Sequence, residues 1–268
     1  MTDGQALPAA DPARAQNSCT SLAQNACASC TWRGNPICPV SDVELAEFSG
    51  CPTNARLRHF TLAPTPRPRF GLLQSGLLMR RGAKGQGLDL VFPGESILEP
   101  FHDGAPHPIT AILPSRMCWF DMATVEARMQ DKPGFLTALM RGKIEELNRA
   151  HRFIWMRSAL SIDQRMAALM VLLFQHEDEG GHPPGQPFRL RIDWSRRDVA
   201  SLIGTTLESI SRATHRLQDL GLIRILDPDC FDLCDLEGLT DLAEFQDLAR
   251  PPQRPAKDMT RPRPLPQS

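Results

Sequence analysis

Three cysteines fall within twelve residues in the segment CASCTWRGNPIC, at positions 27, 30 and 38. Thiolates at such intervals bridge as disulfides, hold zinc, hold iron in an iron–sulfur cluster, or do none of these, and spacing alone does not choose. The compartment narrows the choice. The first eighteen residues, MTDGQALPAADPARAQNS, lack the basic start and apolar stretch of a secretory signal. The longest apolar run, MAALMVLLF at 166–174, is well short of the roughly 20 residues that cross a bilayer. A cytoplasmic protein without a membrane partner is therefore expected. A reducing cytosol disfavours structural disulfides, so clustered thiols there point to metal or redox chemistry. Zinc, iron–sulfur and incidental placement stay open on spacing alone.

A second stretch could read a polyanion. The chain carries a net charge of only −1, yet from Arg189 to Arg224 seven arginines stand against four carboxylates. Within it, WSRRDVASLIGTTLESISRATHRLQDLGLIRIL predicts two short helices. Ser195 with Asp198, and Thr205 with Glu208, have capping-box spacing, and Gly204 and Gly221 fall where each helix should stop. Two helices joined by a tight glycine-containing turn make a helix-turn-helix. On the second, Glu208, Ser211, Arg212 and His215 share one polar face. Arginine donates two hydrogen bonds to guanine O6 and N7, glutamate accepts from cytosine N4, and serine serves several bases. Glu208, Ser211 and Arg212 are thus candidate base readers, with Thr205 beside them. Arg196, at the start of the first helix, is a candidate phosphate contact. No nucleophile motif, phosphate loop or useful acid pair stands out, so a metal- or cysteine-dependent enzyme is not expected.

The elements that must position these residues follow from composition and pattern. With 268 residues and 41% hydrophobic content the chain can form two domains, each with a core. Residues 1–18 read as a disordered tail and SDVELAEF (41–48) as a short helix. From about 57 to 120, short apolar runs between Gly and Pro predict a small β-sandwich or barrel, giving a sensor domain over 19–135. A long helix over 136–158 carries Leu136, Met140, Ile144, Leu147, His151 and Ile154 at steps of four, four, three, four and three. That narrow stripe suits a dimer seam on Met140, Ile144, Leu147 and His151, and it equally suits packing within one domain. Ser161 and Gln164 cap a further buried helix, HEDEGGHPPGQP (176–187) reads as a linker, the DNA-binding domain spans 188–242, and 243–268 is a Pro-rich tail.

DVASLIGTTLESISRATHRLQDLGLIRI resembles the DNA-binding domain of the cyclic-AMP receptor and fumarate–nitrate-reduction regulator (CRP/FNR) superfamily, and the order of elements extends the resemblance over roughly residues 25–240. The resemblance implies an α+β fold: an N-terminal β-roll like those that bind cyclic nucleotides, a long dimerisation helix and a C-terminal winged helix-turn-helix. It also implies a homodimer that binds double-stranded DNA and recruits RNA polymerase. The spacing Glu-x-x-Ser-Arg is similar to the oxygen-responsive branch, whose half-site is TTGAT. Members of that branch hold a [4Fe-4S] cluster on an N-terminal cysteine set and one cysteine within the roll, which carries over to Cys27, Cys30, Cys38 and Cys118. The interval from Cys30 to Cys38 is longer than in the best-known members, and Cys19 is an alternative ligand. Zinc on the same thiolates is the rival reading, giving a constitutive or thiol-redox DNA-binding module. Cyclic nucleotide is not expected: PGESILEPFHDGAPHP has Gly94 and Glu95 but no arginine before Arg116 to meet the phosphate. The roll is also short around TLAPTPRPRF, where strands could be missing.

Overall fold

A computed structural model describes residues 35–39, 53–57, 69–99, 108–178, 181–183 and 185–244. The tails, the helix expected over 41–48, the shortened segment at 61–68, Cys27 and Cys30 lie outside the described residues. Among those residues the apolar runs form seven strands in two sheets: β1 (Thr53–Leu57), β2 (Arg69–Ser75), β3 (Leu78–Arg81), β4 (Gly87–Val91), β5 (Ser96–Glu99), β6 (Ile109–Ala111) and β7 (Ser115–Asp121). One sheet has the order β1-β7-β2-β5 and the other β4-β3-β6, with antiparallel pairing throughout.

The run MCWF explains how the roll is layered. Successive side chains on a strand face opposite ways, and both faces of β7 are covered. Met117 and Trp119 enter the core between the sheets with Leu73, Leu78, Val91, Ile97 and Ile109. Cys118 and Phe120 enter a second core with Phe70, Leu72, Ile37 and Cys38. A strand buried on both sides reads as a continuous apolar run rather than an alternating one.

The chain then turns helical. Helix α1 (Met122–Asp131) closes the second core with Val125, and α2 (Pro133–Ala159) starts with proline at its first position, where a missing N–H costs nothing. Its 27 residues span about 40 Å. Phe135, Leu139, Phe153 and Met156 face inward. Helix α3 (Ile162–Glu177) has the expected capping box, with Ser161 accepting from the Gln164 amide and Gln164 reaching back. Met166 to Leu173 are buried on every side.

The last unit is a three-stranded sheet, β8-β10-β9 (β8 Phe188–Arg191, β9 Ile223–Asp227, β10 Cys230–Leu233), packed with helices α4 (Arg196–Ile203), α5 (Leu207–Asp219) and α6 (Leu236–Leu242). It shares its core with α3, the end of α2 and the β3–β4 region of the roll, through Met79, Leu90 and Phe92. Helix α3 therefore packs as part of the unit that follows the 176–187 turn. No helix among the described residues is long and apolar enough to cross a membrane.

Candidate nucleic-acid interface and cysteine site

Local chemistry fixes the helix-turn-helix. The Ser195 hydroxyl accepts from the Asp198 amide at 3.1 Å and donates to the Asp198 carboxylate at 2.9 Å, so the cap forms but without the expected reach to the Ser195 backbone. Gly204 ends α4 in the left-handed region at φ 67°, where a side chain would be strained. The cap of α5 is shifted by one residue from the sequence expectation. Thr206, not Thr205, is the N-cap: its hydroxyl accepts from the Ser209 amide at 3.3 Å. Ser209 thereby takes the third helical position that the box had given to Glu208. The two threonines are chemically equivalent caps, and the buried set Ile210, Ala213, Thr214 and Leu217 settles the register.

That shift leaves the Glu208 carboxylate in solvent. Side-chain exposure is 79% at Glu208 and 60% at Arg212, and their charged atoms lie 3.5 Å apart, four residues along one face. Arg212 also donates to the Ser209 hydroxyl at 3.3 Å. Ser211 is half-buried beside them. The face thus presents a guanidinium fork held by two acceptors, near the end of α5 that would enter a groove. Thr205 is half-buried in the turn. Arg196 donates to the Pro228 carbonyl at 2.6 Å, which ties the start of α4 to the β9–β10 turn. Sequence reasoning missed Arg216. Its Nε meets Asp163 of α3 at 2.6 Å, and this hydrogen bond holds the guanidinium above its ordinary range. The two residues are 53 positions apart, and no local pattern marks them.

Cys38 and Cys118, the described half of the cysteine set, lie in one buried cluster. Asn35 builds a turn, its Oδ1 accepting from Ile37 N at 2.9 Å and its carbonyl from Cys38 N at 2.9 Å. The turn seats Cys38, 7% exposed, in the same core as Cys118, 4% exposed. Gln74 of β2 donates to Cys118 Sγ at 2.7 Å. Cys38 and Cys118 thus belong to one buried cluster, and thiolates are the soft donors that iron–sulfur and zinc centres use. Cys230 lies elsewhere, buried in β10, and Cys234 follows that strand, half-buried.

Residues 164–242 match the model of the Crp-like helix-turn-helix domain. The whole described fold is similar to the structure of FixK2 from Bradyrhizobium japonicum, with a TM-score of 0.59 at 18% identity, over 71% of this chain and 96% of that one. Residues 164–242 thus carry a Crp-like helix-turn-helix domain. The chain is similar to the transcriptional regulatory protein btr of Bordetella pertussis, 30% identical over 132 residues (49% of this chain, 53% of that protein). Another similar protein is the transcriptional activator protein FnrL of Cereibacter sphaeroides, 22% identical over 146 residues (52% and 57%). The chain spans little more than half the length of these relatives.

Within the roll, the glutamate of the PGES turn is already engaged. Glu95 forms a two-pronged pair with Arg149 of α2 at 2.5 and 2.7 Å. Arg149 reaches Asp89 at 3.3 Å, Arg80 joins Asp89 at 2.9 Å and Glu146 at 3.0 Å, and Lys143 bonds Glu146 and the Ser96 carbonyl. Burial by itself would pull the Arg149 guanidinium down, but the Glu95 and Asp89 carboxylates outweigh it and hold the group above its ordinary range. Next to this network His176 stacks on Phe92 with centroids 3.4 Å apart. Burial and the nearby Arg149 push its pKa down to about 3, so it is neutral at physiological pH. On the other side of α2, Met140, Ile144 and Leu147 are more than half exposed and His151 is exposed too, in line with exposed Leu136 and Ile154. The stripe marked by the sequence is thus exposed to solvent in the single chain.

Proposed function

We propose that the chain is a cytoplasmic, homodimeric DNA-binding transcription regulator that reads a TTGAT-type palindrome with Glu208, Ser211 and Arg212, responds to oxygen through a [4Fe-4S] cluster on Cys27, Cys30, Cys38 and Cys118, and works with RNA polymerase. The observation that carries the reading is the exposed Glu208–Arg212 face on α5, supported behind by a buried apolar face and a cap at Thr206. The unpartnered apolar stripe on α2 supports dimerisation: a seam about two residues wide per heptad suits pairing with a second copy, and pairing brings two α5 helices to successive major grooves. Arg149 filling the space beside Glu95 supports a roll that takes no cyclic nucleotide.

Cys38 and Cys118 sharing one core supports the metal reading, with Cys27 and Cys30 completing four thiolates by resemblance. When bound, a [4Fe-4S] cluster supplies an oxygen-labile centre. The chain's own part is to seat Cys38 on the Asn35 turn, fix Cys118 between β1 and β2, and exclude water with Phe70, Phe120 and Phe135.

The DNA-reading claim is tested by Arg212→Ala. A base-specific bidentate pair is worth about 1–3 kcal/mol of discrimination, whereas a phosphate contact adds sequence-blind affinity. Binding isotherms at fixed salt, with the guanine of each half-site substituted, should show the variant losing about tenfold or more of its preference for guanine. A variant that still distinguishes guanine as well as the parent would show that the reading face is assigned wrongly.

A further inference from the structure

The turn between β3 and β4 reaches across to the first helix of the helix-turn-helix. Arg81 Nη2 meets Asp198 Oδ1 at 2.7 Å, with both side chains more than three-quarters covered. Arg81 is itself fixed: its Nε donates to Thr110 Oγ1 at 3.1 Å and its Nη1 to the Gly85 carbonyl at 3.2 Å. One helical turn beyond Asp198, Ser201 Oγ accepts the Gly87 amide at 2.8 Å. The backbone approach there is close. A side chain at Gly87 would place its first carbon 2.9 Å from Met79 Sδ and 3.1 Å from Leu202 Cα. From α2, Arg157 donates to the Gly87 carbonyl at 2.6 Å, and from α3, Arg165 donates to the Ile203 and Gly204 carbonyls at 3.2 Å each. Roll, long helix and DNA-reading unit thus meet at one place, in hydrogen bonds that fix angle as well as distance.

Resting on the DNA-reading role given above, we propose that Arg81 and Gly87 of the roll are positioning groups for the DNA reader, acting through Asp198 and Ser201 of α4. A palindrome is bound only when both α5 helices lie one DNA turn apart. A reader left loose must be ordered at the moment of binding, and that loss of freedom weakens affinity. The clamp removes the loss beforehand. It also leaves Glu208 and Arg212 exposed, so the clamped arrangement is compatible with reading. Arg81 therefore raises affinity for correctly spaced half-sites and not for DNA in general.

The test uses the full chain with Arg81→Ala, Asp198→Asn and the double variant, each titrated at fixed salt with a TTGAT palindrome and with a random duplex. Each single change should weaken palindrome binding about tenfold and alter random-duplex binding less than about twofold. The double should be no weaker than the worse single, because two groups acting through one contact are not additive. Arg81→Lys should recover most of the loss. Ser201→Ala should, without DNA, speed hydrogen exchange at the Gly87 amide, whose acceptor it removes, a readout independent of DNA and of any fault in the Arg81 variants. If Arg81→Ala weakens both duplexes equally, and does so again in the Asp198→Asn background, Arg81 meets phosphate directly and the clamp is wrong. Unchanged palindrome affinity, or unchanged Gly87 exchange, overturns it as well. A parent protein that does not prefer the palindrome fails at the earlier step, the DNA reading itself, and the clamp falls with it.

Discussion

Cys118→Ala is expected to remove the iron from the anaerobically purified protein altogether. A cubane cluster has four corners to ligate, and no other thiol on β7 can supply the missing one. The fold should survive the change. Cysteine and alanine differ by one sulfur, and the surrounding core keeps Phe70, Leu72, Phe120, Val125, Phe135 and Leu139. Circular dichroism should therefore match the parent while the iron and sulfide content falls from about four of each per chain to near zero. Cys230→Ala provides the contrast, because Cys230 belongs to the β8-β10-β9 sheet and should leave the iron in place. A parent protein that carries stoichiometric zinc and no iron under strict anaerobiosis would replace the cluster by a zinc centre on the same thiolates.

The second large effect is on stability. Arg149→Met should cost about 3–5 kcal/mol, because it removes one partner from a buried ion network and leaves charge uncompensated. The network balances Arg80, Lys143 and Arg149 against Asp89, Glu95 and Glu146. With Arg149 gone, Glu95 and Asp89 lose their common partner in a place nearly closed to water, where both residues are under 8% exposed. Methionine keeps the aliphatic stem of the side chain but not the guanidinium, whose Cζ lies 5.3 Å over the Phe92 ring, so the loss combines the removed charge with a small cavity. Denaturant titration measures it directly. A cost under about 1 kcal/mol would mean that water or a rearranged Arg80 satisfies the two carboxylates, and that the network does not fasten α2 to the roll.

The parts of this molecule that were legible in its sequence are those set by neighbours in the chain. Ser161 and Gln164, Ser195, Gly204 and Gly221 mark helix ends that the structure reproduces. The four-three spacing from Leu136 to Ile154 marks a stripe that is indeed exposed. The slip at Thr205 and Thr206 came from two equal caps side by side. The local pattern could not rank them, and the packing of Ile210 and Leu217 did. What the sequence withheld was contact between distant positions. Arg149 and Glu95 are 54 residues apart, Arg81 and Asp198 are 117 apart, and neither pair has a local signature. For helix α3 the sequence likewise marks a buried helix but not its partners, because the turn residues after it mark punctuation in the chain, whereas its place in a core depends on what it packs against.

The most direct measurement is the binding of the anaerobically purified parent protein, at one fixed salt concentration, to a TTGAT palindrome and to a scrambled duplex of the same length and composition. The palindrome is expected to bind tighter by about a thousandfold or more, the range that separates specific from non-specific complexes. Equal affinity for the two duplexes would contradict it, since the basic surface would then be meeting phosphates alone and the face on α5 would be reading nothing.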